Sequence, residues 1–75
     1  RAPVPAMDVR LRLGQNVRRL RQAKGWSQEE LAHHADLHRT YISGIERGVR
    51  NPTVTIVEAL ARTLETTASE LLSIR

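Results

Sequence analysis

Among the 75 residues there is no cysteine and no run of 18 apolar residues. The first absence removes disulfides and thiolate metal sites as stabilisers and fits a reducing, intracellular setting. The second, together with the lack of a signal-peptide pattern, makes a soluble, cytoplasmic protein the expectation, with no membrane partner. No segment alternates apolar and polar residues with period two, which argues against strands. A nucleophile–base set, a glycine-rich phosphate loop and paired catalytic carboxylates are also missing, so neither an enzyme nor a bound cofactor or small-molecule ligand is expected. His33, His34 and His38 do not form a metal site. The first two are adjacent and point to different sides of a helix, and no carboxylate or thiolate stands at a fitting distance in sequence.

What remains is a small basic chain with helical patterning. At this length one domain is expected, burying only about 60% of the surface its unfolded chain exposes. With disulfides and metals excluded, oligomerisation is the remaining staple. The net charge is +4 and unevenly spread. Residues 9–25 carry Arg10, Arg12, Arg18, Arg19, Arg21 and Lys24 with no acid, whereas residues 26–36 carry only Glu29, Glu30 and Asp36. Residues 37–52 are again basic, through Arg39, Arg47 and Arg50 against Glu46. Segregated positive charge points to a polyanionic partner. A solvated basic face is the alternative for the first segment.

Residues 1–7, with two prolines, read as a flexible leader, and residues 8–75 as the domain. Val9, Leu13, Val17 and Leu20 form an apolar stripe ending at Gly25, which predicts a first helix over residues 8–24. In "WSQEEL", Ser27 and Glu30 make a capping box and Trp26 can staple onto Leu31, so a second helix begins at Gln28. Its apolar face lapses after Ala35. Asp36 is a residue that tolerates a left-handed turn, and Leu37 plugs the corner. A third helix follows over residues 38–47, with Ile42 and Ile45 facing inward and Gly48 ending it. A fourth begins near Thr53 and buries Val57, Leu60, Ala61 and Leu64. A second box, Thr67 to Glu70, opens a short fifth helix. The fold class is therefore all-α, a compact five-helix domain.

The second and third helices are separated by about three residues, which forces the sharp crossing of a helix-turn-helix. A third helix that entered a major groove would need residues near its N-terminus that can address base edges. These are Arg39 and Thr40, with Ser43 one turn on. Arginine can grip guanine O6 and N7 with two hydrogen bonds, and threonine offers a hydroxyl and a methyl group. Gly44 has no side chain, which suggests close approach of DNA to the backbone on that face. Gln28, at the N-terminus of the second helix, adds its amide to free backbone N–H groups, a ready phosphate site.

The run "SQEELAHHADLHRTYISGIERGVRNP", with "LGQNVRRLRQAKGW" before it, resembles the lambda-repressor-like (Xre/Cro/CI) helix-turn-helix family over residues 11–72. Within it, "LHRTYISGIERGVRN" is most similar to the controller proteins of restriction–modification systems, stand-alone regulators that act as dimers. The resemblance implies a transcriptional regulator on double-stranded DNA, with RNA polymerase a further partner if it activates. It carries phosphate contacts onto Gln28, Tyr41, Arg50 and Asn51. Tyr41 could instead be core, and Arg47 either touches phosphate or complements the end of its helix. It also pairs Arg21 with Glu46 as a structural ion pair. Two departures stand out: Asp36 replaces the family's usual glycine at the turn, and Glu65 and Thr66 replace a glycine cap and an apolar contact after the fourth helix. One short helix reads few base pairs, so a homodimer on a two-fold operator is expected. Its interface would draw on Val54, Leu72 and Ile74, unless these complete the monomer core. An antitoxin-type or other repressor of this family, a DNA-binding module of a longer regulator, and a helical protein-interaction adaptor remain open at this stage.

Overall fold

The computed structural model describes residues 8–74, so the expected leader lies outside the described residues. Among the described residues there are five helices and no strand: α1 (Val9–Ala23), α2 (Gln28–Ala35), α3 (Arg39–Glu46), α4 (Val54–Thr63) and α5 (Ala68–Leu71). None is long and apolar enough to cross a membrane.

Helix starts follow the oxygen-bearing side chains. Asp8 accepts from the Arg10 N–H at 2.8 Å, and hydrogen bonds from Arg10 hold its carboxyl down from 3.8 to about 2. The capping box at α2 is complete, with Glu30 N–H to Ser27 Oγ at 3.0 Å and Ser27 N–H to Glu30 Oε1 at 2.7 Å. Thr53 and Thr67 cap α4 and α5, each accepting from the N–H three residues on.

Four helices end by one device. At Gly25, Asp36, Gly48 and Glu65 the chain takes φ of 73°, 57°, 77° and 59°. The next residue's N–H then reaches back over the last turn. Trp26 bonds to the Arg21 carbonyl at 3.2 Å, Leu37 to Ala32 at 2.8 Å, Val49 to Gly44 at 3.0 Å and Thr66 to Ala61 at 2.8 Å. This is the Schellman closure, in which a left-handed residue satisfies the final carbonyls. Asp36 and Glu65 adopt it without being glycine, so the departures from the family pattern change the residue and keep the turn. Lys24 pairs with Glu65 across this end of the bundle.

The core is aliphatic: Leu13 and Val17 of α1, Leu31 and Ala32 of α2, Ile42 and Ile45 of α3, Val57, Leu60, Ala61 and Leu64 around α4, and Leu71 of α5. Trp26 is half-buried against this cluster and stacks on His34, with ring centroids 4.2 Å apart. The predicted α1 stripe is longer than the buried one. Val9, in the first turn, is 46% exposed, and Leu20 is only half-buried. α1 meets α3 at Gly14, where a Cβ would come within 2.3 Å of the Ile45 carbonyl oxygen. Only a residue without a side chain lets the two backbones approach so closely.

A four-residue helix cannot hold itself in place. Leu71, fully buried, anchors α5, and α1 secures its end. Asn16 Nδ2 donates to the carbonyls of Leu71 at 2.8 Å and Ser73 at 2.9 Å, and Arg12 Nε donates to the Leu72 carbonyl at 2.6 Å. The orphan carbonyls of α5 are thus satisfied by side chains of α1.

A left-handed conformation is unfavourable for a residue with a Cβ. The Glu65 side chain is 79% exposed, so its pairing with Lys24 adds little. Glu65→Gly is therefore expected to raise the melting temperature by roughly 4 °C, measured by circular dichroism. An unchanged or lower value would contradict the assignment of strain to this turn.

Candidate nucleic-acid interface

α2 and α3 are separated by Asp36, Leu37 and His38. The left-handed turn at Asp36 reverses the chain, and half-buried Leu37 packs on the core beneath it. α3 then runs with Ile42 and Ile45 sealed inside, while Arg39 and Thr40 in its first turn are exposed. Its N-cap, His38, makes no side-chain capping bond. The first N–H groups of this helix are thus left without the cap seen on the other four helices.

What sets the position of α3 is one carboxylate. Glu46, in its last turn, accepts from Arg21 Nε at 2.7 Å and Arg21 Nη2 at 2.9 Å. The two side chains are 4% and 11% exposed respectively. Such a fork-to-fork pair fixes orientation as well as distance. The remaining arm of Arg21, Nη1, donates to the Trp26 carbonyl at 2.8 Å, tying in the loop before α2. The hydrogen bond to Glu46 raises the Arg21 pKa above its already high ordinary value.

A third donor completes the group. Gln28 Nε2 donates to Glu46 Oε1 at 3.1 Å. The amide nitrogen must face Glu46, because its oxygen would meet another acceptor. One N–H of Gln28 is therefore engaged internally, and the second N–H and the carbonyl remain. Sequence reading placed Gln28 at a phosphate and missed this bond. Its only trace in the sequence is the position of both residues at helix ends.

The other residues singled out from the sequence distribute as follows. Arg39, Thr40, Arg47, Arg50 and Asn51 are exposed, Ser43 is half-buried, and all lie on α3 or the loop after it. Among the described residues none hydrogen-bonds to the Arg39 guanidinium. Tyr41 is half-buried against the core, with the Arg50 guanidinium 5.5 Å from its ring centroid. Val54 and Ile74 are 82% and 75% exposed and Leu72 37%, so they do not complete the monomer core.

Two expectations are corrected. The space beside Gly44 is not open for DNA to approach the backbone, because the Arg50 side chain lies across it and Gly44 is buried. The basic run of α1 is also largely engaged within the fold. Arg10, Arg21 and Lys24 sit in ion pairs with Asp8, Glu46 and Glu65, and Arg12 binds the end of α5. Arg18 and Arg19 are exposed and, among the described residues, in no ion pair. Neutralisation of Arg21 and Lys24 by acids 25 and 41 residues distant cannot be seen in a local charge count.

A short-linked helix pair, its second helix locked along one side and offering uncommitted polar groups at its free end, defines a helix-turn-helix protein. The chain belongs to that family: the helix-turn-helix (HTH_3) family model matches residues 17–71. It is 47% identical over 66 residues to the control protein C.BamHI of Bacillus amyloliquefaciens, covering 87% of this chain and 82% of that one. The crystal structure of the restriction–modification controller protein C.AhdI from Aeromonas hydrophila matches with a TM-score of 0.79 and 44% identity, covering 83% of this chain and 94% of that one. A crystal structure of the biofilm regulator SinR in complex with DNA matches with a TM-score of 0.77 and 34% identity, covering 81% and 98%.

Removing one partner of a buried pair leaves an uncompensated charge. Glu46→Ala is expected to lower the unfolding free energy by about 3–5 kcal/mol, measured by urea denaturation. The double change Arg21→Met with Glu46→Leu removes both charges and should cost far less. Equal losses would mean that the pair contributes only bulk.

Proposed function

We propose that the chain is a transcriptional regulator of the restriction–modification controller type, binding a two-fold symmetric operator in double-stranded DNA as a homodimer. The observation that carries this reading is the division of α3. Ile42, Ile45 and Glu46 bind it to the bundle, and Arg39 and Thr40 stand exposed at its uncapped end. A helix held this way presents its N-terminal turn to the major groove. There Arg39 grips guanine, and Thr40 and Ser43 meet neighbouring base edges. Gln28, Tyr41, Arg47, Arg50 and Asn51 supply the rim that grips phosphates. The likeness to C.BamHI and C.AhdI, and to SinR bound to DNA, supports the same reading.

The homodimer forms through Val54 of α4 and Leu72 and Ile74 at the end of α5, whose exposed apolar side chains gain from burial. Dimerisation doubles the sequence read and places two recognition helices about one helical turn apart on the operator. Operator position decides between repression and activation. Activation would bring RNA polymerase against α2, where Glu29 is exposed and Glu30 is committed to the cap. Such a regulator works in the cytoplasm, on the nucleoid.

Selection from a random duplex pool, followed by footprinting, tests the reading and should return a palindromic site. Affinity should fall with salt at a log–log slope of about −0.9 per phosphate contacted. Arg39→Ala should cost roughly 1–3 kcal/mol and relax preference at one base pair of each half-site. Salt-insensitive association with a protein, and no duplex recovered, would favour an adaptor instead. For the dimer, sedimentation of the wild type should report a two-chain species at micromolar concentration. Val54→Asp with Ile74→Asp should return it to monomer with helical content intact. A monomeric wild type at high micromolar concentration without DNA would count against a preformed dimer.

A further inference from the structure

Glycine in the interior of a helix is unfavourable relative to alanine, yet Gly44 sits in the middle of α3. The space beside it shows what its bareness permits. A Cβ built there would stand 2.6 Å from Arg50 Cγ, 3.1 Å from Nε and 3.3 Å from Cδ, and these are the three nearest atoms. Arg50 reaches this place from the α3–α4 loop, which the left-handed Gly48 and the bond from Val49 N–H to the Gly44 carbonyl fold back onto the helix. Its stem lies across the backbone of α3 at Gly44, and its guanidinium stands 5.5 Å from the centroid of the Tyr41 ring, one helical turn earlier. Among the described residues no carboxylate pairs with Arg50. The bare backbone and the aromatic ring are what hold it, leaving its charge unspent.

We propose that Gly44 is a positioning residue for DNA binding. By carrying no side chain it provides a seat in which Arg50 lies over α3 against Tyr41, so that the guanidinium meets a backbone phosphate from a set place beside the recognition helix. An arginine on a solvated loop must lose its rotamer freedom on binding, whereas a seated one has already lost much of it. This role rests on the regulatory reading above and assigns Gly44 a part in it that neither side-chain chemistry nor DNA contact would suggest.

The test is a double-mutant cycle at positions 44 and 50, using a duplex that the wild-type chain recovers from a random-sequence pool. Gly44→Ala forces the Arg50 stem, 2.6 Å away at Cγ, to swing aside and introduces a better helix former, so its melting temperature should stay close to that of the wild type. Its affinity for the duplex should nevertheless fall roughly tenfold, and its salt slope should become shallower by about 0.9 for each chain bound. In an Arg50→Ala background the same change at position 44 should cost nothing further. Equal losses in both backgrounds, or unchanged affinity and slope, would overturn the proposal. Should Gly44→Ala lower the melting temperature, Arg50→Lys carries the test, keeping the charge and losing planar stacking on Tyr41. A several-fold loss of affinity supports the seat, and none overturns it. A wild-type chain that recovers no duplex overturns the regulatory reading and this proposal with it.

Discussion

The carboxylate of Glu46 is the point on which the arrangement turns. It belongs to α3, accepts both forked nitrogens of Arg21 from α1, and accepts the amide of Gln28 from α2. Three helices therefore share one charged centre, and Arg21 extends it to the backbone at Trp26. An acid inside a helix meant to face DNA would repel phosphates if it pointed outward. Turned inward and neutralised, it fixes the angle of α3 and the orientation of the first side chain of α2. Hydrophobic contacts of Ile42 and Ile45 supply affinity for the core but little direction, because apolar packing is not directional.

Close approach does the rest. Gly14 lets α1 lie against the end of α3, and Gly44 lets the following loop fold an arginine onto α3 itself. The left-handed turns at Gly25, Asp36, Gly48 and Glu65 end four helices sharply enough for 67 described residues to close on one aliphatic core. α5 shows how economical the fold is. Four residues suffice because Leu71 is buried and Asn16 and Arg12 of α1 satisfy the carbonyls at its end. In such a small domain side chains serve as braces between elements, and few charged groups near the core are spare.

Local signals made much of this legible. Ser27 with Glu30, Thr53 and Thr67 marked three helix starts, because capping is a contact over three residues. Ile42 and Ile45 marked the inner side of α3, because helical periodicity is local too. Asp36 was readable as a left-handed turn for its own side-chain chemistry. Contacts between distant residues were not legible in that way. The positive charge of α1 read as a basic run, and the neutralisation of Arg21 and Lys24 by Glu46 and Glu65 depends on where other helices fall. Gly44 read as an opening toward DNA, whereas the chain itself fills that space with Arg50.

By itself, then, the sequence determined the number, type and limits of the helices, the short link between α2 and α3, and the family resemblance that follows from them. These depend on spacing along the chain, and spacing is what a sequence records. Only the tertiary structure decided that Gln28 shares Glu46 with Arg21, that Asn16 caps α5, and that Arg50 rests on Gly44 and Tyr41. Each of those depends on the angle and separation between elements, which are set by the packing of all five helices together.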